Sequence, residues 1–257
     1  MPEIVILGSS SGDPSIDRAN SSILIRHGGR HYQFDAGDGC ASSIRRHEID
    51  YSAIGTIFIS HMHPDHITGL FLEIQMMFLA RRRDPLTVYV PSEAMTAIDT
   101  FMKATYLFDE KMGFETRLRP IVPDPVFRDD NITVYARANS HLKNYEKIVG
   151  NAGGPNQLQS YSFIIKTDNA RIIYSGDIAS LDDYADLLPG CDVLITEGMH
   201  FDREDLFEMV AADDVGNLIL THLSDDMYRN PESIIISAQK HGVENLYLAK
   251  DGMVISV

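Results

Sequence analysis

The chain has 257 residues, 44% of them hydrophobic and 23% charged, with two cysteines and a formal net charge of −15. That length suffices for a large buried core, Cys40 and Cys191 are too few and too far apart for a disulfide framework or a thiolate zinc site, and the acidic balance repels nucleic acid over most of the surface. No apolar run approaches the roughly 18 residues needed to cross a bilayer, and the opening "IVIL" is too short and lacks basic flanks for a signal peptide, so a cytoplasmic protein without a membrane partner is expected.

In chain order, β-branched runs bounded by turn residues predict strands at "IVILG", "SILIRHGGRHYQF", "TIFIS" and "LTVYV". They recur at "NITVYARA", "SFIIKTDNARIIYSG", "DVLIT", "NLILTH", "NLYLA" and "MVISV". Gly-Gly in the second run and Asp-Asn in the sixth mark hairpins, because both tolerate the positive φ of tight connections. Helical spacing covers residues 41–47, 68–82, 93–108, 181–188, 203–212 and 231–241. The Arg81, Arg82 and Arg83 triplet closes the second helix, where a solvated basic end suits the macrodipole. The apolar helix "ITGLFLEIQMMFLA" suits either the core or a dimer contact. Residues 144–159, "NYEKIVGNAGGPNQLQ", read as a long irregular loop, a substrate cover with Lys143 and Lys147 as candidate phosphate contacts.

Nothing resembles a linker, so residues 1–257 are expected to form one domain of two similar halves, with a seam near 120–125, "PIVPDP". Two mixed sheets stacked face to face with helices outside would bury both faces of each sheet.

The chemistry concentrates in "SHMHPDHITGL". His61 and His63 are two apart, so on an extended segment both side chains point the same way and can share one ion, while Asp65 and His66 turn into the next helix toward a second. Imidazole with carboxylate suits zinc or another borderline divalent ion. Such a loop still lacks ligands, and suitable residues recur where other apolar runs stop: His141, Asp177 and His222.

On "FDAGDG" (Phe34 to Gly39), "SHMHPDH" (Ser60 to His66), "SH" (Ser140, His141), "SGD" (Ser175 to Asp177) and "THLS" (Thr221 to Ser224), the chain resembles the metallo-β-lactamase-fold superfamily of metallohydrolases. The resemblance implies an α/β (α+β) fold, a four-layer αββα sandwich with outer helices. It also implies that His61, His63 and His141 hold one metal, Asp65, His66 and His222 the other, and Asp177 bridges them. Asp35 then orients the metal loop by hydrogen bonding. Aspartate at 177, where β-lactamases commonly carry cysteine, points to the hydrolase branches, and the opening "LGSSSGDPSIDRANSSILI" with "THLSDDMY" looks most like ribonuclease Z and related phosphodiesterases.

That likeness implies two divalent ions, Zn2+ first, with Mn2+ or Fe2+ as alternatives. A hydroxide shared between them is the expected nucleophile. Asp65, Glu197 and His200 form the candidate catalytic set, Glu197 by its match to the branch's acid-function glutamate and His200 as a substitute acid. The branch's His-Ser-Thr motif and its basic arm for transfer RNA are not recognisable here. A small phosphodiester is therefore favoured over folded RNA. Alternatives on the same ligand set are a lactonase or thioesterase, and a mononuclear-iron oxidoreductase of the same fold. A degenerate binding protein is disfavoured because no ligand position is lost.

Overall fold

The computed structural model describes residues 1–122 and 125–257; Pro123 and Asp124, the centre of the expected seam, lie outside them. The first half runs β1 (Glu3–Gly8), β2 (Ser22–His27), β3 (Arg30–Phe34), α1 (Cys40–Arg46), β4 (Ile54–Phe58), α2 (Pro64–Ile67), α3 (Gly69–Leu79), β5 (Leu86–Val90), α4 (Met95–Ala104), α5 (Asp109–Met112) and β6 (Thr116–Pro120). Then follow β7 (Phe127–Arg128), β8 (Thr133–Ala138), α6 (Glu146–Ala152), β9 (Tyr161–Lys166), β10 (Arg171–Tyr174), β11 (Val193–Glu197), α7 (Arg203–Ala212), β12 (Asn217–Thr221), α8 (Asp225–Arg229), α9 (Glu232–Lys240), β13 (Leu246–Leu248) and β14 (Val254–Ser256).

Two seven-stranded sheets result, ordered β14-β1-β2-β3-β4-β5-β6 and β13-β12-β11-β10-β9-β8-β7. Each has the same grammar. In the first, β14 through β3 pair antiparallel and β3 through β6 parallel. In the second, β7 through β10 pair antiparallel and β10 through β13 parallel.

The strand period of two decides the layers. On β1, Ile4 and Ile6 enter a core between the sheets, while Val5 and Leu7 face α1 and α3. On β10, Ile172 and Tyr174 point inward and Ile173 joins the core under α7 and α9. The inter-sheet layer is aromatic at its centre, with Phe34 stacked on Phe58 at 4.8 Å and edge-on to Phe163 at 5.4 Å. Three cores separated by two sheets make the αββα sandwich.

Several local expectations are corrected. Residues 181–188 form two 3-10 turns, Leu181–Asp183 and Ala185–Leu187, in place of a helix. The cause is competition for the backbone: the Ser180 hydroxyl takes the Asp182 N–H, and the Asp183 carboxylate turns inward to Ser140 and Ala179. The 144–159 segment is not irregular throughout. It carries a 3-10 turn, His141–Tyr145, and then α6, stopped by Gly153 in the left-handed region.

Arg82 is not part of a solvated helix end. Its guanidinium is buried and donates to the carbonyls of Ser52, Asp84 and Pro85. Strands β6 and β7 escaped the sequence because "TRLRP" carries charge and proline, the usual marks of a sheet edge. Among the described residues no helix is long and apolar enough to cross a membrane.

Candidate metal centre

Strands β3, β4, β8, β10, β11 and β12 all deliver residues to one edge of the sandwich from their carboxyl ends. Parallel pairing of β10, β11 and β12 forces this for Asp177, Glu197 and His222, and two successive antiparallel pairings return β8 to the same direction for His141. Two residues there hold positive φ without being glycine, Asp35 at 59° and His222 at 55°. Backbone of this kind persists only where the surroundings enforce it. Close packing of the loops requires Gly37, whose added Cβ would run into the Asp65 carbonyl.

Two ligand groups form, His61, His63, His141 and Asp177 in one, and Asp65, His66, Asp177 and His222 in the other. The seven residues named from the sequence are thus together, with Asp177 common to both groups. In the first, His63 Nδ1 lies 3.0 Å from His61 Nε2 and 3.1 Å from His141 Nε2. In the second, His66 Nε2 is 3.4 Å from Asp65 and His222 Nε2 is 3.5 Å from Asp177.

Hydrogen bonds on the far side of the rings settle which nitrogen faces inward. Asp35, fully buried, accepts from His66 Nδ1 at 2.7 Å and from the backbone N–H and hydroxyl of Ser60. Having one proton and giving it to Asp35, the Ser60 hydroxyl accepts from His61 Nδ1 at 3.0 Å. The Ser21 hydroxyl meets His222 Nδ1 at 2.8 Å. His61, His66 and His222 therefore present Nε2 to the centre, and for His61 and His66 the outer-ring acceptor places a proton on Nδ1, as in metal-ligating histidines generally.

The electrostatics match a cation site. Burial holds His61, His63 and His141 below the ordinary imidazole pKa, so they are neutral donors. Burial opposes charge on Asp177, but the surrounding His222, His66 and His61 hold its carboxyl well below the usual range. Burial likewise opposes a proton on His66, yet Asp177 and Asp35 hold its pKa well above the ordinary value. His66 Nε2 and Asp177 Oδ1 lie 3.3 Å apart, both buried, and neither has a hydrogen-bond partner. Orphaned buried polar atoms are costly, and a divalent cation satisfies both. Five converging imidazole nitrogens and two carboxylates, divided between the two groups, fit divalent cations.

Glu197 and His200 sit beside this centre. Glu197 is buried at the end of β11; Oε1 accepts from the Ile178 N–H, and Oε2 from the Met199 and His200 N–H groups. Its carboxylate also receives His200 Nδ1 at 2.7 Å, which raises the His200 pKa against burial. The exposed His200 ring lies 5.2 Å from His141 and 6.3 Å from His222, centroid to centroid. A cavity of about 160 Å³ opens beside His63, lined by Met62, Glu93, Leu142, Tyr145, Val149, Asn156 and Leu158. Tyr145 packs edge-on to His63 at 5.7 Å, so the 144–159 segment does adjoin the centre. Lys143 and Lys147 are exposed and do not line that cavity.

Four positioning residues had not been singled out from the sequence. The Asn139 amide donates to the Asp177 carbonyl and accepts the His141 N–H, and Asp183 ties Ser140 to Ala179, so each links the His141 turn to the Asp177 loop. Ser21 and Tyr174 support His222 and Asp35. Only the Ser-rich "ANSS" carried a signal, and a weak one; Tyr174 reads as a core strand residue.

The profile of the family described as "Anti-Pycsar protein Apyc1" matches residues 2–233. The ribonuclease Z of Methanosarcina mazei is 24% identical over 100% of this chain and 98% of that one. The short form of human tRNase Z superposes with a TM-score of 0.75 at 21% identity, over 99% of this chain and 98% of that one. The metallo-β-lactamase fold protein YhfI from Bacillus subtilis gives a TM-score of 0.77 at 20% identity, with the same coverage of both chains. With the sandwich, the ligand-bearing edge and a family match over most of its length, the chain belongs to the Anti-Pycsar protein Apyc1 family and has the metallo-β-lactamase fold.

Proposed function

We propose that the protein is a metal-dependent phosphodiesterase, one domain of two halves, acting on a small phosphodiester in the cytoplasm. The carrying observation is the pair of ligand groups sharing Asp177, with the Glu197 and His200 pair at their rim. His61, His63 and His141 would hold one divalent ion, Asp65, His66 and His222 the other, and Asp177 both, zinc being best suited to this nitrogen and oxygen set. Ions so held supply positive charge to the phosphoryl oxygens and make water nucleophilic near neutral pH.

The chain's own residues do the rest. Asp35 and Ser60 hold His66 and His61 with the proton on Nδ1, and Ser21 orients the His222 ring. Asp65 is a ligand that also adjoins the "SSSGDP" loop, where a Cβ added at Gly12 would stand 3.3 Å from Asp65 Oδ2. His200, whose Nδ1–H is held by Glu197 and whose pKa that contact raises, carries on Nε2 the proton for the leaving oxygen and ends as the neutral ring, and Glu197 acts through it by holding the ring.

The acidic surface and the small cavity beside His63 favour a small substrate. The alignment with the Methanosarcina mazei relative runs over 304 positions against 257 residues here, so that enzyme carries segments this chain lacks. A homodimer through α3 and α4 is supported by the exposed Leu72 and Leu79 of α3 and Phe101 of α4, and a one-chain molar mass in solution would remove it.

The test counts metal per chain in the protein as purified, then offers it, and the zinc- or manganese-loaded protein, an activated phosphodiester, a lactone, a thioester and, with dioxygen, a reduced sulfur compound. Diester hydrolysis with two ions is expected. Lactone or thioester opening with the diester untouched would replace the substrate class, and one iron per chain with sulfur oxidation would replace the reaction.

A further inference from the structure

The ligands come from both sheets. His61, His63, Asp65 and His66 follow β4 of the first, whereas His141, Asp177 and His222 follow β8, β10 and β12 of the second. Something must hold the two sets at chelating distance, since sheets packed only by apolar side chains lack directional contacts.

Ser21 meets His222 at one end of the ligand-bearing edge, beside the backbone contacts of Ser9 and Ser11 with Leu223, and three further contacts cross beside Asp35 and Ser60. The Tyr161 N–H donates to the Ser60 carbonyl at 3.1 Å. Gly176, at φ 57°, lets the chain pass where an added Cβ would stand 3.0 Å from the Ser60 Cβ. The third is between side chains: the Tyr174 hydroxyl, at the end of β10, donates to Asp35 Oδ2 at 2.7 Å. That same oxygen accepts from His66 Nδ1 and from the Ser60 hydroxyl that receives His61 Nδ1. One carboxylate oxygen thus carries a ligand of each metal group from the first sheet and a tether to the second. Three residues beyond Tyr174 is Asp177, shared by both groups.

We propose that Tyr174 is a positioning residue for the metal centre, its hydroxyl setting the spacing between the Asp35-anchored imidazoles and Asp177 across the sheet interface. Packing does not require the hydroxyl, because Tyr174 sits among Phe34 and Phe163 in a layer where phenylalanine fills the same volume. The inference rests on the metal-binding reading of the site.

The test compares Y174F with Y184F by zinc competition against a chromophoric chelator and by thermal unfolding of chelator-treated protein. Tyr184 is an equally buried tyrosine whose hydroxyl meets Thr196 at 3.1 Å, in the core under the second sheet's helices. Y174F should bind zinc about 10- to 100-fold more weakly, the range for outer partners of metal ligands, and Y184F should keep wild-type affinity. Unfolding of the chelator-treated variants should be alike, which separates positioning from general stability. Wild-type zinc affinity in Y174F, or an equal loss in Y184F, overturns the proposal. A wild-type protein that takes up no divalent metal overturns the metal reading itself.

Discussion

At the scale of single residues, the site separates groups that touch the reacting atoms from groups that hold those in place. His200 is exposed and Glu197 is not, although both were expected in the catalytic set. With its oxygens committed to three backbone N–H groups and the His200 ring, Glu197 has no capacity left for substrate. His200→Ala should therefore slow hydrolysis by about 10²- to 10⁴-fold when the leaving group is a poor one such as an alkoxide. With p-nitrophenolate, which departs unprotonated, the loss should be small. Equal losses on both substrates in steady-state assays would remove His200 as the acid.

Elements show where the fold spends stability. Helix α3 buries Leu70, Glu73, Ile74 and Met77, a helical stripe with one carboxyl in it. Burial pushes the Glu73 pKa up to about 7, against the opposing pull of the Gln33 and Cys40 hydrogen bonds and the Arg82 charge. The folded state then binds more protons than the unfolded one between about 4.5 and 7. Stability from the protonated group is complete below that window and is lost as pH rises through it. The loss is about 3 kcal/mol. Glu73→Gln, which keeps the neutral form, should gain roughly that much over wild type between pH 5 and pH 8 in denaturant titrations. A gain independent of pH would show that Glu73 is charged in the fold throughout.

For the whole molecule, the ligands' origin in both sheets means that a bound cation ties the sandwich together. A ligand at 100 times its dissociation constant stabilises the folded state by about 2.7 kcal/mol, which for a chain of this size is roughly 5 to 10 °C in Tm. Chelation should lower the melting temperature by about that much and zinc should restore it, as scanning calorimetry would show. No shift would mean that the centre binds no ion in the folded protein.

The candidate ligand cluster and the sandwich architecture were legible in the sequence because donor residue types and strand runs are local signals. The hexapeptide places four donor side chains on one short turn, and each remaining candidate ends an apolar strand run, so residue type and strand pattern sufficed to pick out the cluster of His61, His63, Asp65, His66, His141, Asp177 and His222. Helix α6 and the 181–188 turns were misread because capping and inward-turning carboxylates, not periodicity, decided them. Division of labour between Glu197 and His200 depended on the fold of one short turn and its contact with Ile178, and the work of Ser21, Asn139, Asp183 and Tyr174 on hydrogen bonds between residues distant in sequence. Tyr174 marks the boundary most clearly. In the sequence it is one more aromatic in an apolar strand, and only the packing of one sheet against the other brings its hydroxyl to Asp35, because no local rule fixes the register between two stacked sheets.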